Sequence, residues 1–396
     1  MTGKDNSKKG VLILAAGLKG AIGSTVAAAA GMLRHQPEAV LPYLMTRGKF
    51  PYIGKHDQVR IAGWDTEQCS FTRAVSRCGV LGKELWEPYT HFLDGIDVRP
   101  GPAGKDLDIK QQVANLKADM EDFKTRNPGY MPVFVNLLPA GICHDLQKFS
   151  SLSQVYENAG QVPADIVYAA AAIEAEIAIV NFTPNDIEIP ALVNEAEERG
   201  VPMCGKDGKT GQTYFKVVLA SAFRARKLRV NGWYSLNILG NADGENLMDP
   251  ANAACKLDNK TGVLEEVLGY CPGEKPYGRS SHRVHIDYYP PRGDAKEAWD
   301  VVDFEGIFGL PMSMRVNLQG RDSVLAAPMV IDLARWMAAL GFAKRSGPVP
   351  ELAFFFKKPA GRSAPVSFEN QIAAMEKLEK ICDAAAGNTK KQQGDD

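Results

Sequence analysis

The chain has 396 residues, 45% hydrophobic and 23% charged. Those are the proportions of an ordinary globular protein of about two to three domains, and they exclude collagen-like, coiled-coil and wholly disordered organisation. Lys+Arg number 46 against 47 Asp+Glu, a net charge of -1; no cationic field is available for a phosphate polymer, so nucleic-acid binding is not expected.

The N-terminal MTGKDNSKKG is polar, and the apolar stretch after it is short and glycine-broken. It reads as a buried strand, not as a signal peptide or membrane span, so no membrane association is expected. Seven scattered cysteines lack any CxxC pair, which fits free thiols in a reducing cytoplasm. Asp, Glu and His show no metal-ligand spacing, and no metal is expected.

In chain order, Val11–Ala16 reads as a doubly buried strand and Ser24–Arg34 as an Ala-rich helix. Further strands are expected at Val40–Met45, Val59–Gly63, Val133–Leu138 and Ile177–Asn181, with helices at Pro163–Ile173 and Ile189–Arg199. Such alternation argues an α/β fold with a doubly wound parallel sheet. Thr210–Lys227 then reads as a long helix, Trp233–Leu239 as a strand, and His282–Tyr289 as an antiparallel strand with unlike faces. Ser313–Leu318 is a strand candidate and Ser323–Leu340 a helix, and Leu352–Phe356 returns to a buried-strand run. The expected organisation is therefore a doubly wound domain over residues 1–209, an inserted α+β domain over 210–324, a return over 325–386 and a disordered tail over 387–396.

Three constellations carry chemistry. Gly17-Leu18-Lys19-Gly20-Ala21-Ile22-Gly23 lies between a buried strand and a helix. There the backbone can approach a pyrophosphate held by helix N–H groups, as in a Rossmann-like site, although a ligand-free tight turn is the plainer alternative. Lys19 stands where the close-approach glycine is expected. Thr46-Arg47, at the end of the expected second strand, hints at a 2′-phosphate, while Asp65 in Gly63-Trp64-Asp65 is a rival ribose ligand, leaving NAD and NADP both open. The second constellation is Gly205-Lys206-Asp207-Gly208-Lys209-Thr210-Gly211-Gln212-Thr213. Two hydroxyls, a glycine, an amide and a lysine at a helix start make an anion cradle without Walker spacing; the plain alternative is a helix capped by Thr210. The third is a lysine set. Lys256 and Lys260 stand one turn apart, Lys296 follows Gly293-Asp294-Ala295, and Lys357 ends an apolar run. Each alone reads as a solvated lysine; gathered in one pocket they would depress one another's pKa, leaving one as a neutral base and the others to hold phosphate or an enolate oxygen.

Together with Ser235 to Leu247 (SLNILGNADGENL), Asp322-Ser323-Val324-Leu325-Ala326-Ala327-Pro328 and Asn181-Phe182-Thr183-Pro184-Asn185, these motifs resemble the inositol-phosphate synthase family from the first strand to about Pro359. The resemblance implies NAD-dependent, redox-neutral cyclisation of glucose 6-phosphate to 1L-myo-inositol 1-phosphate. In that family the C5 hydroxyl is oxidised, C6 is deprotonated to an enolate and attacks the C1 aldehyde, and the ketone is reduced again. It assigns catalysis to Lys256, Lys296, Lys357, Asp322 and Asp207, and substrate binding to Thr210, Gly211, Gln212, Thr213, Lys260, Asn237, Asn241 and Leu247. To the cofactor it assigns the Gly17–Gly23 turn, Asp65, Asn136, Thr183, Asp207, Asp243 and Asp294. It also implies a homotetramer assembled through sheets of the inserted domain. The chain departs from the family at Lys19, at Ile238 for a common His, at Ala242 for an Asn, and at Arg321 for a Glu. Cyclisation of another sugar phosphate, such as fructose 6-phosphate, is therefore the first alternative. A plain NAD-linked sugar-phosphate dehydrogenase is the second, and a non-catalytic NAD-binding protein the third.

Overall fold

The computed structural model describes residues 8–102, 108–141, 146–157, 162–249 and 262–392. Its larger sheet is parallel in every pairing and runs β11-β6-β5-β4-β1-β2-β3. The strands are β1 (Gly10–Ala16), β2 (Val59–Trp64), β3 (Asp97–Arg99), β4 (Tyr130–Asn136), β5 (Ala178–Asn181), β6 (Pro202–Cys204) and β11 (Gly347–Pro348). Val11 to Ala16 are buried without interruption because helices cover both faces. On one side lie the Ala21–His35 and Asp322–Phe342 helices, on the other Ile109–Arg126, Ala164–Glu174 and Pro190–Glu198. Chain order reverses beside β1, which neighbours β2 on one side and β4 on the other. Ligands of doubly wound sheets bind at such a switch, outside the carboxyl strand ends. The Asp322–Phe342 helix is long and apolar enough to cross a membrane, but most of it is buried in this core.

The smaller sheet runs β10-β9-β7-β8, from β7 (Arg229–Leu239), β8 (His282–Tyr288), β9 (Ala295–Glu305) and β10 (Pro311–Arg321). Its inner face packs on the Gln212–Ala225 helix through Trp233, Val302, Val217 and Ala220.

Four expectations differ. Val40–Met45 is not a strand: Pro37 and Pro42 fix φ and remove donors, and the segment forms the 3-10 turns Pro37–Ala39 and Leu41–Tyr43. Leu352–Phe356 falls largely in the 3-10 helix Pro350–Phe355, with one bridge from Phe356 to Gly208. β8 has the expected unlike faces but pairs parallel to β7, not antiparallel. The last helix, Phe368–Gln392, runs as helix into the stretch expected to be disordered.

Candidate active site

The glycine-rich turn follows β1 directly. Gly17 has φ +78, and a Cβ there would stand 2.8 Å from the Leu137 carbonyl oxygen; a Cβ on Gly23 would come within 2.3 Å of the Leu18 carbonyl oxygen. Both positions therefore require glycine. Gly20 caps the Ala21–His35 helix with no side-chain bond, and Leu18 is fully buried. First-turn N–H groups have no intrahelical acceptor, so an uncapped start presents them to an anion. Lys19 does not block this approach. Its ammonium donates to the carbonyls of Glu67 and Cys69, and its backbone N–H donates to Asp65 Oδ2 at 2.7 Å.

Asp65 follows β2, the second strand of the sheet and not the third. It thus holds the position of the ribose-binding acid, and Arg47 does not. Arg47 lies in an exposed turn, 3.8 Å from Glu38. Beyond β4 and β5 the amides turn inward. Asn136 donates to Asp165 (2.6 Å) and Asn181 (3.1 Å), and Thr183 donates to Asn181. Burial raises the Asp165 carboxyl pKa against the opposing bonds from Asn136 and Asn185. Asn136 and Thr183 therefore brace the carboxyl strand ends.

Past β6 the chain makes a tight passage. A Cβ on Gly208 would meet the Phe182 ring at 2.2 Å, and Asp207 takes a left-handed φ of 62. A non-glycine residue in that region is uncommon, and aspartate tolerates it better than most. Asp207 accepts from Lys357 Nζ at 2.6 Å, and the Lys357 backbone N–H donates to the Asp207 carbonyl. The 350–356 turn thus delivers Lys357 to the loop after β6.

Lys209 leaves the expected cradle. Its ammonium is buried and donates to the Ala353 carbonyl and Gln371 Oε1, locking the loop to the Phe368–Gln392 helix. Burial, then the Lys357 charge, push Lys209 down to about 7. Thr210 does not cap the next helix either. Its hydroxyl donates to Asp322 Oδ1 at 2.9 Å, and the cap is Gly211, which offers no side-chain bond. Gln212 and Thr213 are buried in the first turn. The start of this 14-residue helix therefore has no side-chain cap and fewer side-chain donors than expected.

Asp322 also accepts from Lys296 Nζ, at 3.0 Å. Burial would raise its carboxyl, but the charge and hydrogen bond of Lys296, the Thr210 bond and the Lys357 charge hold it well below the usual range. Asp207 and Thr210, three residues apart in the loop after β6, thus bind Lys357 and Asp322 respectively, and Asp322 in turn holds Lys296. Asn241 and Ser323 both donate to Asp294 Oδ1, while the buried Oδ2 has no partner among the described residues; burial raises this carboxyl. Asn237 is fully buried on β7, with no partner for its Oδ1 among the described residues. Leu247 is buried nearby, after the short Ala242–Asn246 helix. Asp243 lies in that helix, its side chain outside the described set. Lys256 and Lys260 lie outside the described residues.

The departures are largely turned away. Ile238 sits on the sheet face opposite Asn237, and Arg321 donates to the Val80 carbonyl. Ala242 is exposed at the start of its short helix.

Residues 211–323 match the family model described as Myo-inositol-1-phosphate synthase. Inositol-3-phosphate synthase 1 of Bacteroides thetaiotaomicron is 38% identical over 258 residues, 63% of this chain and 60% of that protein. The Trypanosoma brucei brucei inositol-3-phosphate synthase is 27% identical over 349 residues, 79% of this chain and 63% of that protein. The chain thus spans about three fifths of the length of these curated relatives. An inositol-3-phosphate synthase structure from Caenorhabditis elegans superposes with TM-score 0.79 at 21% identity, covering 95% of this chain and 86% of that one. A myo-inositol-1-phosphate synthase-related protein from Thermotoga maritima gives 0.76 at 24% identity, covering 94% and 98%. At these identities the structural likeness is one of fold.

Proposed function

We propose that the chain, which matches the Myo-inositol-1-phosphate synthase family model over residues 211–323 and is 38% identical to a bacterial inositol-3-phosphate synthase over 258 residues, is an isomerase converting glucose 6-phosphate to 1L-myo-inositol 1-phosphate with no net redox change. One observation carries the reading: Lys296 and Lys357, distant in sequence, are each held by a carboxylate beside the uncapped helix start that follows Gly211.

The residues at the β1 turn fit a dinucleotide. The glycines there admit no side chain, the helix start is uncapped, and Asp65 ends β2. Gly17 to Gly23 would hold the pyrophosphate and Asp65 the ribose, and this placement of the acid favours NAD over NADP. Bound NAD would supply reversible hydride transfer. The helix start at Gly211, Gln212 and Thr213 would bind the sugar phosphate. Lys296 and Lys357 each bond one carboxylate and, having three donors, keep N–H groups for substrate oxygens. Such fixed cations stabilise enolate and alkoxide oxygens as charge develops. Asp322 and Asp207 orient the two amines. Asn237, Asn241 and Leu247 would shape the sugar pocket, and Lys256 and Lys260 complete the lysine set by family resemblance.

We place the enzyme in a reducing cytoplasm, a reading supported by free Cys69, Cys78, Cys204, Cys271 and Cys382. A homotetramer assembled through the smaller sheet is proposed on its outer face, where Tyr234 and Trp299 stand 45% and 49% exposed. Parallel assays with glucose 6-phosphate and fructose 6-phosphate, read by phosphorus NMR of the product, test the substrate assignment. Selective conversion of fructose 6-phosphate would replace it with a different cyclitol phosphate.

A further inference from the structure

Behind the phosphate-binding helix start lies a polar cluster that the chemistry above leaves unused. Asp300 on β9 is almost fully buried and accepts three bonds: from Gln212 Nε2 (2.8 Å), Trp233 Nε1 (2.7 Å) and Ser235 Oγ (2.5 Å). Lys216, one turn beyond Gln212, donates to Ser235 Oγ at 3.0 Å and lies 2.9 Å from His282 Nε2. All these side chains are buried on the inner face of the smaller sheet.

Asp300 Oδ2 accepts this bond, so the amide of Gln212 turns its Nε2 toward β9. Buried charged hydrogen bonds of this kind are strong and directional. The helix start has no side-chain cap, so this bond is a direct tie between its first residue and the sheet. Asp300 and Lys296 share β9 and, four residues apart, the same face. At 3.3 Å per residue that separation is about 13 Å.

We propose that Asp300 is a positioning residue for the phosphate grip: through Gln212 it fixes the anion-binding helix start relative to Lys296 on the same strand. Phosphate seated at the helix start then sets how far the sugar reaches toward the Lys296 amine. Lys216 reaches Asp300 through Ser235, whose hydroxyl accepts from Lys216 and donates to Asp300.

The proposal rests on the sugar-phosphate reading, and the test separates the two. Inorganic phosphate binding to the full chain, with NAD present, is measured by phosphorus NMR for wild type, Asp300→Asn, Gln212→Met and the double variant, beside kcat and KM for glucose 6-phosphate. Asp300→Asn should weaken phosphate binding about tenfold and raise KM by a similar factor, with NAD affinity unchanged. Gln212→Met should do the same, and the double variant should lose no more than either single one. Unchanged phosphate affinity in Asp300→Asn, or fully additive losses in the double variant, would overturn the proposal. So would a wild type that binds no phosphate. If Asp300→Asn does not fold, Gln212→Met alone decides, since it removes the same bond from the helix side. Wild type that binds phosphate yet converts no glucose 6-phosphate would defeat the functional reading, while the binding comparison would still decide the role of Asp300.

Discussion

Lys296 and Thr210 meet on the two oxygens of one carboxylate: Lys296 Nζ lies 3.0 Å from Asp322 Oδ2 and Thr210 Oγ1 lies 2.9 Å from Asp322 Oδ1. The residue beside the uncapped helix start and the amine on β9 are thereby joined at the first residue of the Asp322–Phe342 helix. Asp322→Asn keeps the shape and removes the charge that holds the Lys296 ammonium. The expected result is a fall in kcat on the order of 10²-fold, with phosphate affinity reduced much less. Equal losses in both would make Asp322 a binding residue.

Lys357 is expected to be indispensable to turnover and dispensable to cofactor binding. Lys357→Ala should lower kcat by about 10²–10⁴-fold, the range of a lost proton-transfer group. Fluorescence titration should return wild-type NAD affinity. Wild-type turnover in this variant would remove Lys357 from the mechanism.

Cofactor choice should follow Asp65. A carboxylate after β2 accepts from ribose hydroxyls and repels a 2′-phosphate. Asp65→Ser is expected to weaken NAD and narrow the NAD/NADP affinity ratio by roughly tenfold or more, about 1.4 kcal/mol. An unchanged ratio would show that Asp65 serves only the Lys19 and Glu67 backbone N–H groups it bonds in this structure.

Gly208 faces the Phe182 ring with no room for a methyl group. Gly208→Ala should cost about 1–3 kcal/mol of stability and displace Asp207 and Lys357, giving a lowered melting temperature and lost activity together. Adding Phe182→Leu should recover part of both.

Stability against pH carries the mark of Lys209. Its folded pKa is about 7, below that of the unfolded side chain. Below pH 7 both states are charged, and the full penalty of burying an ammonium is present. Between about 7 and 10 the unfolded chain binds more protons than the folded one, so stability rises with pH, by at most about 1.4 kcal/mol per unit for one group. Lys216, pushed down to about 8 by burial against the pull of Asp300, adds the same sign from about 8 upward. Lys209→Met should flatten the lower part of this rise in chemical denaturation from pH 6 to 9. An unaltered slope would contradict it.

Much of the parallel sheet was legible. The runs at β1, β2, β4 and β5 are apolar because both faces are covered, and glycine and helix-start residues bracket them. Val40–Met45 is an apolar run that Pro42 bars from a strand, and counting it as one puts Arg47 in competition with Asp65 for the end of the second strand. Apolar character alone also cannot separate a buried 3-10 turn from a strand, which is why Leu352–Phe356 was misread. The direction of β8 is not encoded in its alternation, since either pairing leaves the same face exposed. At the site, family motifs pointed to the lysines and carboxylates. The inward role of Lys209 and the Asp300 cluster were not readable: Asp300 lies in an acidic stretch that looks solvated, and only its register opposite Ser235 on β7 brings it under Gln212.

The central claim is that this site cyclises a hexose phosphate and returns its hydride to the same molecule. Incubation with glucose 6-phosphate and catalytic NAD, followed at once by absorbance for NADH and by phosphorus NMR, tests it directly. The expected outcome is complete conversion to one inositol phosphate resonance with no accumulated NADH. Conversion that stops once the catalytic NAD has all become NADH, with an equal amount of keto sugar phosphate as product, would contradict it and make the protein a dehydrogenase.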